Sequence, residues 1–278
     1  MKGGTVNGKS IRIVGLSLLL ILLMACSLGN GTPAAEPEET PASGNETQEQ
    51  VTEEAPPPTE EAPSGDGTDL CENPYYPVRE GATWNYQGTS SLTDPYTFTD
   101  TITSVRANGF TLTSEFDELV RTQEWACTPE GIVALQLGGG LTTAQTNLTV
   151  ETQNASGVTY PAEIDAGDTW SHSLEFTGTM DIAGNSGEAE GTTQSDFTAL
   201  GVESVTVPAG MFEAMKVEVQ TTFEATVNFQ GLSVPVTFTT TTISWFVEDL
   251  GWVKSDSSGD FMGQAYTDTI ELQSYSLP

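Results

Sequence analysis

Polar and apolar residues alternate along residues 215–229. The odd positions are apolar except Thr221, and the even positions are polar from Lys216 to Asn228. Because successive side chains of a β-strand point to opposite faces, this segment is predicted to be a strand with one buried and one solvated face. Fifteen extended residues would reach about 50 Å, which exceeds a usual strand. We therefore expect this strand to bend around its core.

A return strand is predicted after this segment. Gln230-Gly231 has the composition of a tight turn. The apolar positions beyond it change phase near residues 240–242, which predicts a β-bulge, since bulges allow long strands to curve. The apolar positions before the shift are Val234, Val236 and Phe238, and those after it are Ile243, Trp245 and Val247. Together the two segments predict a long, coiled hairpin.

The same kind of pattern continues through residues 70–278. All five Trp, all seven Tyr and all eleven Phe residues lie here, and no stretch has a convincing helical period. Thr, Val and Phe dominate, and Gly, Asn, Asp and Pro punctuate them, as in strands joined by turns. The length suffices for one sizeable core or two small fused ones. We predict an all-β domain with a highly curved antiparallel sheet, an open or half-closed barrel.

Two motifs occur twice in this domain, in the same order. The first is a Tyr-Pro turn followed by Gly-x-Thr-Trp, and the second is a Trp that stands six residues before a Gly. The first motif ends at Trp84 and again at Trp170, and the second begins at Trp125 and again at Trp245. We therefore expect two related halves of one sheet, 72–152 and 156–275. Chance recurrence of residues common at strand starts is the alternative.

The composition of residues 26–69 differs sharply from that of the domain. Pro, Glu, Thr, Gly and Ala dominate, and between Gly29 and Asp69 the one large aliphatic residue is Val51. Such a stretch cannot bury enough apolar surface to offset the entropy of ordering it. We predict a disordered acidic tether, which as a flexible coil would span about 35 to 40 Å.

Residues 1–25 have the layout of an export signal. Three basic residues precede the apolar segment Ile13–Met24, which is too short to span a hydrocarbon core but has the length of a signal-peptide core. The segment ends in Leu23-Met24-Ala25-Cys26, which resembles the lipobox of bacterial lipoproteins. That resemblance implies a lipid on Cys26 and cleavage before it, so the mature protein is expected to be anchored to a membrane. A buried cysteine in a short membrane anchor is the alternative.

The net charge bears on possible partners. The chain carries 8 basic and 39 acidic residues, a net charge of −31. Loss of residues 1–25 would remove three basic residues and no acidic one, leaving a net charge of −34. Nucleic-acid binding rests on neutralising phosphates with Lys and Arg, so we expect no nucleic-acid partner. Anionic lipid headgroups would repel the domain, which favours a position away from the membrane surface.

The cysteine count supports export to an oxidising compartment. With Cys26 lipidated, Cys71 and Cys127 remain as an even pair. A disulfide between them would close a loop of about 56 residues and stabilise the domain by about 4 kcal/mol in the chain-entropy model. Two free buried thiols are the alternative.

Catalytic and metal-binding patterns are sparse. His172, the only histidine, lies two residues after Trp170 in an alternating strand, which favours a structural or surface role over that of a general base. A zinc site would need several His or Cys ligands. We therefore predict no catalytic residues, no metal site and no cofactor, and expect that the protein is not an enzyme.

Three stretches carry a resemblance to a wider group of proteins. They are Tyr76-Pro77-x-x-x-Gly81-x-x-Trp84-x-Tyr86, residues 203–212, and residues 245–254. They resemble bacterial exported lipoproteins of uncharacterised function, which are in turn similar to the half-barrels of the LolA/LolB lipoprotein carriers and related mycobacterial lipid-binding lipoproteins. Those carriers pack helices into the concave face of the sheet, and this sequence predicts none. The resemblance implies a half-barrel and transfers no binding residues.

Two functions are consistent with this pattern. One is a structural or interaction domain displayed in the cell envelope, on the extracytoplasmic side of a bacterial membrane, with an envelope protein as a possible partner. The other is binding or carriage of a lipid or other apolar ligand in the concave face. The candidate lining residues of that face are Trp84, Trp170, Phe223 and Trp245. Aromatic residues that alternate along strands usually fill a core, which favours the first function.

Overall fold

The computed structural model describes residues 69–117, 119–136, 140–142, 146–182, 185–261 and 264–278. The predicted signal peptide 1–25, the lipidation site Cys26 and nearly all of the tether 26–69 lie outside these residues. Within the described residues no helix is both long enough and apolar enough to cross a membrane.

The described chain is almost entirely β-structure, which confirms the predicted fold class. One 3₁₀ turn, Asp69–Cys71, precedes the strands. The strands are β1 (Thr83–Ser90), β2 (Tyr96–Arg106), β3 (Gly109–Phe116), β4 (Val120–Thr128), β5 (Gly131–Ala134), β6 (Gly140–Thr142), β7 (Thr146–Gly157), β8 (Tyr160–Pro161), β9 (Thr169–Ile182), β10 (Asn185–Val207), β11 (Gly210–Phe229), β12 (Leu232–Val247), β13 (Gly251–Phe261) and β14 (Gln264–Ser276). All fourteen belong to one antiparallel sheet.

The sheet curls strongly into a half-barrel. Its strand order is β3-β2-β1-β14-β13-β12-β11-β10-β9-β7-β6-β4-β5-β8, and β3 also pairs with β4. The two ends of the order are therefore brought together along β4. The link between β7 and β4 is narrow, because it runs through the short strand β6. This strand pairs with β4 over residues 140–142 and with β7 through two residue pairs. We call the face that carries Trp84, Phe98 and Phe110 the interior face.

The long predicted hairpin is present as β11 and β12. The pairing of these strands is continuous from Met215↔Phe246 to Phe229↔Leu232, with the turn at residues 230–231. The bulge predicted near residues 240–242 is wrong. The register of β12 shifts instead between Trp245 and Phe246, where it pairs with β13.

Near its end β12 is covered by other residues on both faces, and this explains the apparent change of phase in its apolar positions. Phe246 belongs to a smaller cluster with Met215, whereas Trp245 belongs to the large cluster that also contains Val205 and Ala214. The turn between β10 and β11 reaches β14, where the Ala209 amide donates to the Leu272 carbonyl at 3.1 Å. Because this hairpin end covers the opposite side of β12, consecutive residues there are both apolar.

The domain has one extended aromatic core and a smaller neighbouring cluster. Tyr76 stacks on Phe110, Trp125 and Tyr160 with ring centroids 5.1 to 5.7 Å apart. The predicted disulfide between Cys71 and Cys127 is present, with a Cα–Cα distance of 5.0 Å. It fastens the start of the domain to β4, beside the strand segment that carries Trp125.

Candidate functional site

Three polar residues form a row across the interior face. In β2 the buried residues alternate, and Asp100 occupies a position between Phe98 and Ile102 that would ordinarily be apolar. Asp100 pairs with Ser114 on β3, and Ser114 pairs with Arg121 on β4. The three side chains therefore share one face of three adjacent strands. We call this set the interior polar row.

Ser114 connects the two charged members of the row. Its hydroxyl hydrogen-bonds to the Asp100 carboxylate and accepts a bond of 3.0 Å from Arg121 Nη2. Ser114 is fully buried and Asp100 is 4% exposed. One oxygen of Asp100, Oδ1, and the Nε of Arg121 are buried without a protein partner. Buried polar groups are normally paired, so these two atoms mark a site that needs an explanation.

A second carboxylate lies on the interior face of β14. The Tyr96 hydroxyl donates to Asp268 Oδ2 at 2.9 Å, and Asp268 Oδ1 is buried without a protein partner. Tyr96 lies on β2 and Asp268 on β14, so the tyrosine crosses the whole of β1. It can do so because residue 88 is glycine: a Cβ there would lie 2.1 Å from Tyr96 Cζ.

Desolvation governs the electrostatics of these groups. Burial raises the pKa of the Asp100 carboxyl, and the hydrogen bond from Ser114 and the charge of Arg121 oppose that rise. Burial likewise raises the pKa of Asp268, against the hydrogen bond from Tyr96. Among the described residues neither carboxylate has a direct ion pair, and burial outweighs the opposing interactions in raising both pKa values.

Aromatic rings surround the outer part of the interior polar row. Phe98 and Phe116 stack with centroids 4.9 Å apart, and Tyr96 lies 6.3 Å from each. The Arg121 guanidinium lies 6.0 Å from the Phe116 centroid. Tyr96, Phe116, Arg121 and Asp268 are half-buried, whereas Asp100 and Ser114 are buried. The cluster thus has a buried polar floor and a partly open aromatic rim.

The four candidate lining residues do not form one cluster. Trp84 and Trp245 belong to the large core, Trp170 packs against the smaller cluster, and Phe223 belongs to neither. Trp84 Nε1 donates to the Leu250 carbonyl at 2.8 Å. Trp170 stacks on Phe197 at 5.1 Å, and Phe223 stacks on Phe238 at 4.7 Å.

Trp245 is held on the side of the sheet that the β10–β11 hairpin end covers. Its Nε1 donates to Glu203 Oε1 at 2.8 Å, and this bond, ahead of that from Lys216, lowers the pKa of Glu203. Lys216 and Lys254 each lie 5.4 Å from the Trp245 ring centroid. Both lysines also pair with acids, as in the 3.2 Å contact between Lys216 and Glu203. The charged groups around Trp245 are therefore paired with one another, and their contacts join the β10–β11 hairpin end to β12.

His172 is a buried residue of the interior face of β9. Burial lowers its pKa, and a hydrogen bond with the Ala134 backbone opposes that shift. Its Nε2 has no protein partner. Among the described residues, no group of three or more His, Cys, Asp or Glu side chains could hold a metal ion.

Sequence reasoning missed the interior polar row. One signal was available, because Asp100 interrupts the apolar alternation of Tyr96, Phe98 and Ile102. Among 39 acidic residues a single break of this kind is hard to distinguish from a solvated position. The partner strands that enclose Asp100 are known only from the tertiary pairing.

Residues 140–267 match a family model described as DUF3108-like. The chain is similar to this family over that segment. No curated protein matches the chain significantly.

Three solved structures of bacterial proteins are similar to this chain. A protein of Bacteroides fragilis, described as exported and as having a YmcC-like fold, aligns with a TM-score of 0.42 and 12% identity over 73% of this chain and 99% of that one. A lipoprotein of Parabacteroides distasonis, so described, gives 0.37 and 15% over 74% and 99%. The hypothetical lipoprotein YmcC of Escherichia coli gives 0.35 and 10% over 77% and 90%.

These matches confirm the predicted resemblance to bacterial exported lipoproteins of uncharacterised function. At these scores and identities they carry no conclusion about activity. The more distant resemblance to the LolA/LolB carriers stays a prediction.

Proposed function

We propose that this protein is a lipid-anchored protein of the bacterial cell envelope that displays a β-domain in a structural or interaction role, without catalysis. In this proposal Cys26 carries the lipid, residues 26–69 form the tether, and residues 70–278 form the domain on the extracytoplasmic side of the membrane. Its partners are the membrane, through the anchor, and a protein of the envelope.

The candidate lining residues already contact other groups of the domain, and this supports display over lipid carriage. Trp84 and Trp245 are 3% and 8% exposed, and both indole N–H groups donate within the protein. Trp170 and Phe223 stack on aromatic neighbours. A carrier needs apolar surface that a ligand can cover, whereas these side chains already pack against other residues of the domain.

Native mass spectrometry of the mature protein, purified from its own host in mild detergent, tests this proposal. The expected mass is that of the polypeptide from Cys26 with its acyl groups and no further lipid. A lipid that stays bound through exchange into a second detergent would contradict display and support carriage. The Cys26→Ser variant is the control for the anchor, and its loss from the membrane fraction is expected.

A further inference from the structure

We propose that His172 is a pH-sensitive switch of the half-barrel, which holds β9 against β5 while it is neutral and lets these strands separate when it is protonated in mildly acidic surroundings. This inference goes beyond the display role, which involves no change of conformation. It rests on the contacts between residues 132–135 and residues 152–172, which we call the seam.

The seam joins strands that share no ladder. In the part of the chain that the structure describes, the ladders of β5 are with β4 and β8, and those of β9 are with β7 and β10. Single hydrogen bonds close the seam instead. The Ala134 amide donates to Thr159 Oγ1 at 2.9 Å, and the Thr152 hydroxyl donates to the Leu135 carbonyl. A few bonds of this kind separate more readily than a ladder, because few groups must be exposed to break them.

His172 reaches across the seam from the interior face of β9. Its side chain forms a hydrogen bond with the Ala134 backbone and is 6% exposed. Because Thr159 takes the Ala134 amide, the Ala134 carbonyl is the group that remains, and His172 is the donor. His172 Nε2 is buried without a protein partner, so Nδ1 carries the proton of the neutral ring. The neutral imidazole thus joins the two strands through one bond.

Protonation would disrupt this arrangement. A second proton on the ring makes Nε2 a donor, and the described residues place no acceptor beside it. A buried donor without an acceptor and a buried charge without a counter-ion are both costly. Burial accordingly lowers the pKa of His172, against the opposing bond to Ala134. The protonated ring is therefore more stable in water, which it reaches when the seam opens.

Among the described residues of the neighbouring strands, no charged side chain offsets that cost. The residues paired with His172 are Gly157 on β7 and Ser195 on β10, and neither titrates. β5 contributes no titratable residue, and Tyr160 of β8 keeps its proton at mildly acidic pH because burial raises its pKa. The acidic residues of these strands and of β4 are engaged or directed elsewhere: Glu151, Glu175 and Asp196 take alternate positions on the face opposite the interior face, and Glu124 pairs with Arg106.

The direction of the effect separates His172 from the buried carboxyl groups. Its folded-state pKa lies below the unfolded value of about 6.5, so its stabilising contribution is present above about pH 6.5 and is lost as the pH falls toward the folded pKa. Burial raises the pKa of Asp100 and of Asp268, so their protonation on acidification relieves a cost. The chain has one histidine. Opening of the seam on mild acidification therefore has the sign expected of His172.

Hydrogen–deuterium exchange of the full mature protein in dodecyl maltoside tests the switch, at about pH 8 and about pH 5, the limits between which histidine titrates. After correction for intrinsic exchange rates, the protection of residues 131–135 and 157–161 should fall about tenfold at the lower pH, which lies more than one unit below the unfolded pKa of about 6.5. Residues 215–229 should keep their protection. His172→Gln should remove the pH response of the seam. Ser195→Ala is the matched control and should retain the response, because it changes the cross-strand neighbour of His172 and leaves the titrating ring.

Each of three results would overturn the proposal. They are equal protection of the seam at the two pH values in the unmodified protein, a pH response that His172→Gln retains, and a loss of protection in residues 215–229 equal to that in the seam, which would mean global unfolding. Thermal unfolding at the higher pH checks that each variant folds. If His172→Gln does not fold, proton NMR of the single imidazole decides the question. A pKa below about 6.5 is expected for that ring, and a pKa at or above this value would overturn the proposal.

Discussion

The two proposed halves of the sheet share backbone hydrogen bonds at the start of their first strands but differ in the side chains of one interior row. In the first half the Gly81 amide donates to the Ile102 carbonyl at 2.9 Å and the Ile102 amide donates to Ala82 at 3.0 Å. In the second half the corresponding bonds join Gly167, Ala199 and Asp168 at 2.8 and 2.9 Å. Both glycines have positive φ, 83° and 95°, which favours glycine over other residues there.

The contents of the two frames differ in the row that starts at the tryptophan. Successive cross-strand partners in the first half are Trp84, Asp100, Ser114 and Arg121. In the second half they are Trp170, Phe197, Val219 and Thr242. The shared bonds support the proposed repeat of 72–152 and 156–275. The difference shows that similar backbone bonds accompany different interior side chains in the two rows.

The second half is expected to tolerate a charge in its row least. Phe197→Asp would remove the stack on Trp170 and bury a carboxylate without a partner. We expect the free energy of unfolding to fall by about 5 kcal/mol, measured by urea unfolding with tryptophan fluorescence. Phe197→Leu keeps the site apolar and should lose about 1.5 kcal/mol. A loss below about 1 kcal/mol for the aspartate would show that this row is solvated.

The disulfide is a second difference between the halves, and it lies two residues after the second tryptophan of the first half. Cys127 follows Trp125 by two residues, and Val247 follows Trp245 by two. Replacing Cys71 and Cys127 together with Ser is expected to lower the free energy of unfolding by about 4 kcal/mol, because the bridge closes a separation of 56 residues. The unmodified protein in reductant should show the same loss. Equal stability of the double variant would mean that packing alone holds Cys71 in place.

Gly88 offers a test of the comparison with a smaller expected effect. It lies four residues after Trp84, and the second half has Leu174 four residues after Trp170. Gly88→Ala places a methyl group where the Tyr96 ring lies and should break the bond from Tyr96 to Asp268. We expect a loss of about 2 kcal/mol in the free energy of unfolding. Thr89→Ala, on the exposed face of β1, should stay within about 0.5 kcal/mol of the unmodified protein. Equal effects of the two changes would contradict the position of the ring.

Alternation of polar and apolar residues predicted much of this fold. The β11–β12 hairpin, the all-β class and the Cys71–Cys127 pair follow from residue types and spacing. The covering of both faces of β12 at Trp245 and Phe246 does not, because it depends on the β10–β11 hairpin end folding across the sheet. The interior polar row depends in the same way on strands β2, β3 and β4 enclosing Asp100.

The titration of the Asp100 carboxyl is the most direct test of this contrast between the halves. Carbon-13 NMR, with Asp100→Asn assigning the signal, should place its pKa above the ordinary value of about 3.9, because burial disfavours the charged form. The folded state would then bind a proton more tightly than the unfolded chain, so this group would lower stability as pH rises from the unfolded to the folded pKa. A pKa at or below about 3.9 would contradict a dry interior around Asp100.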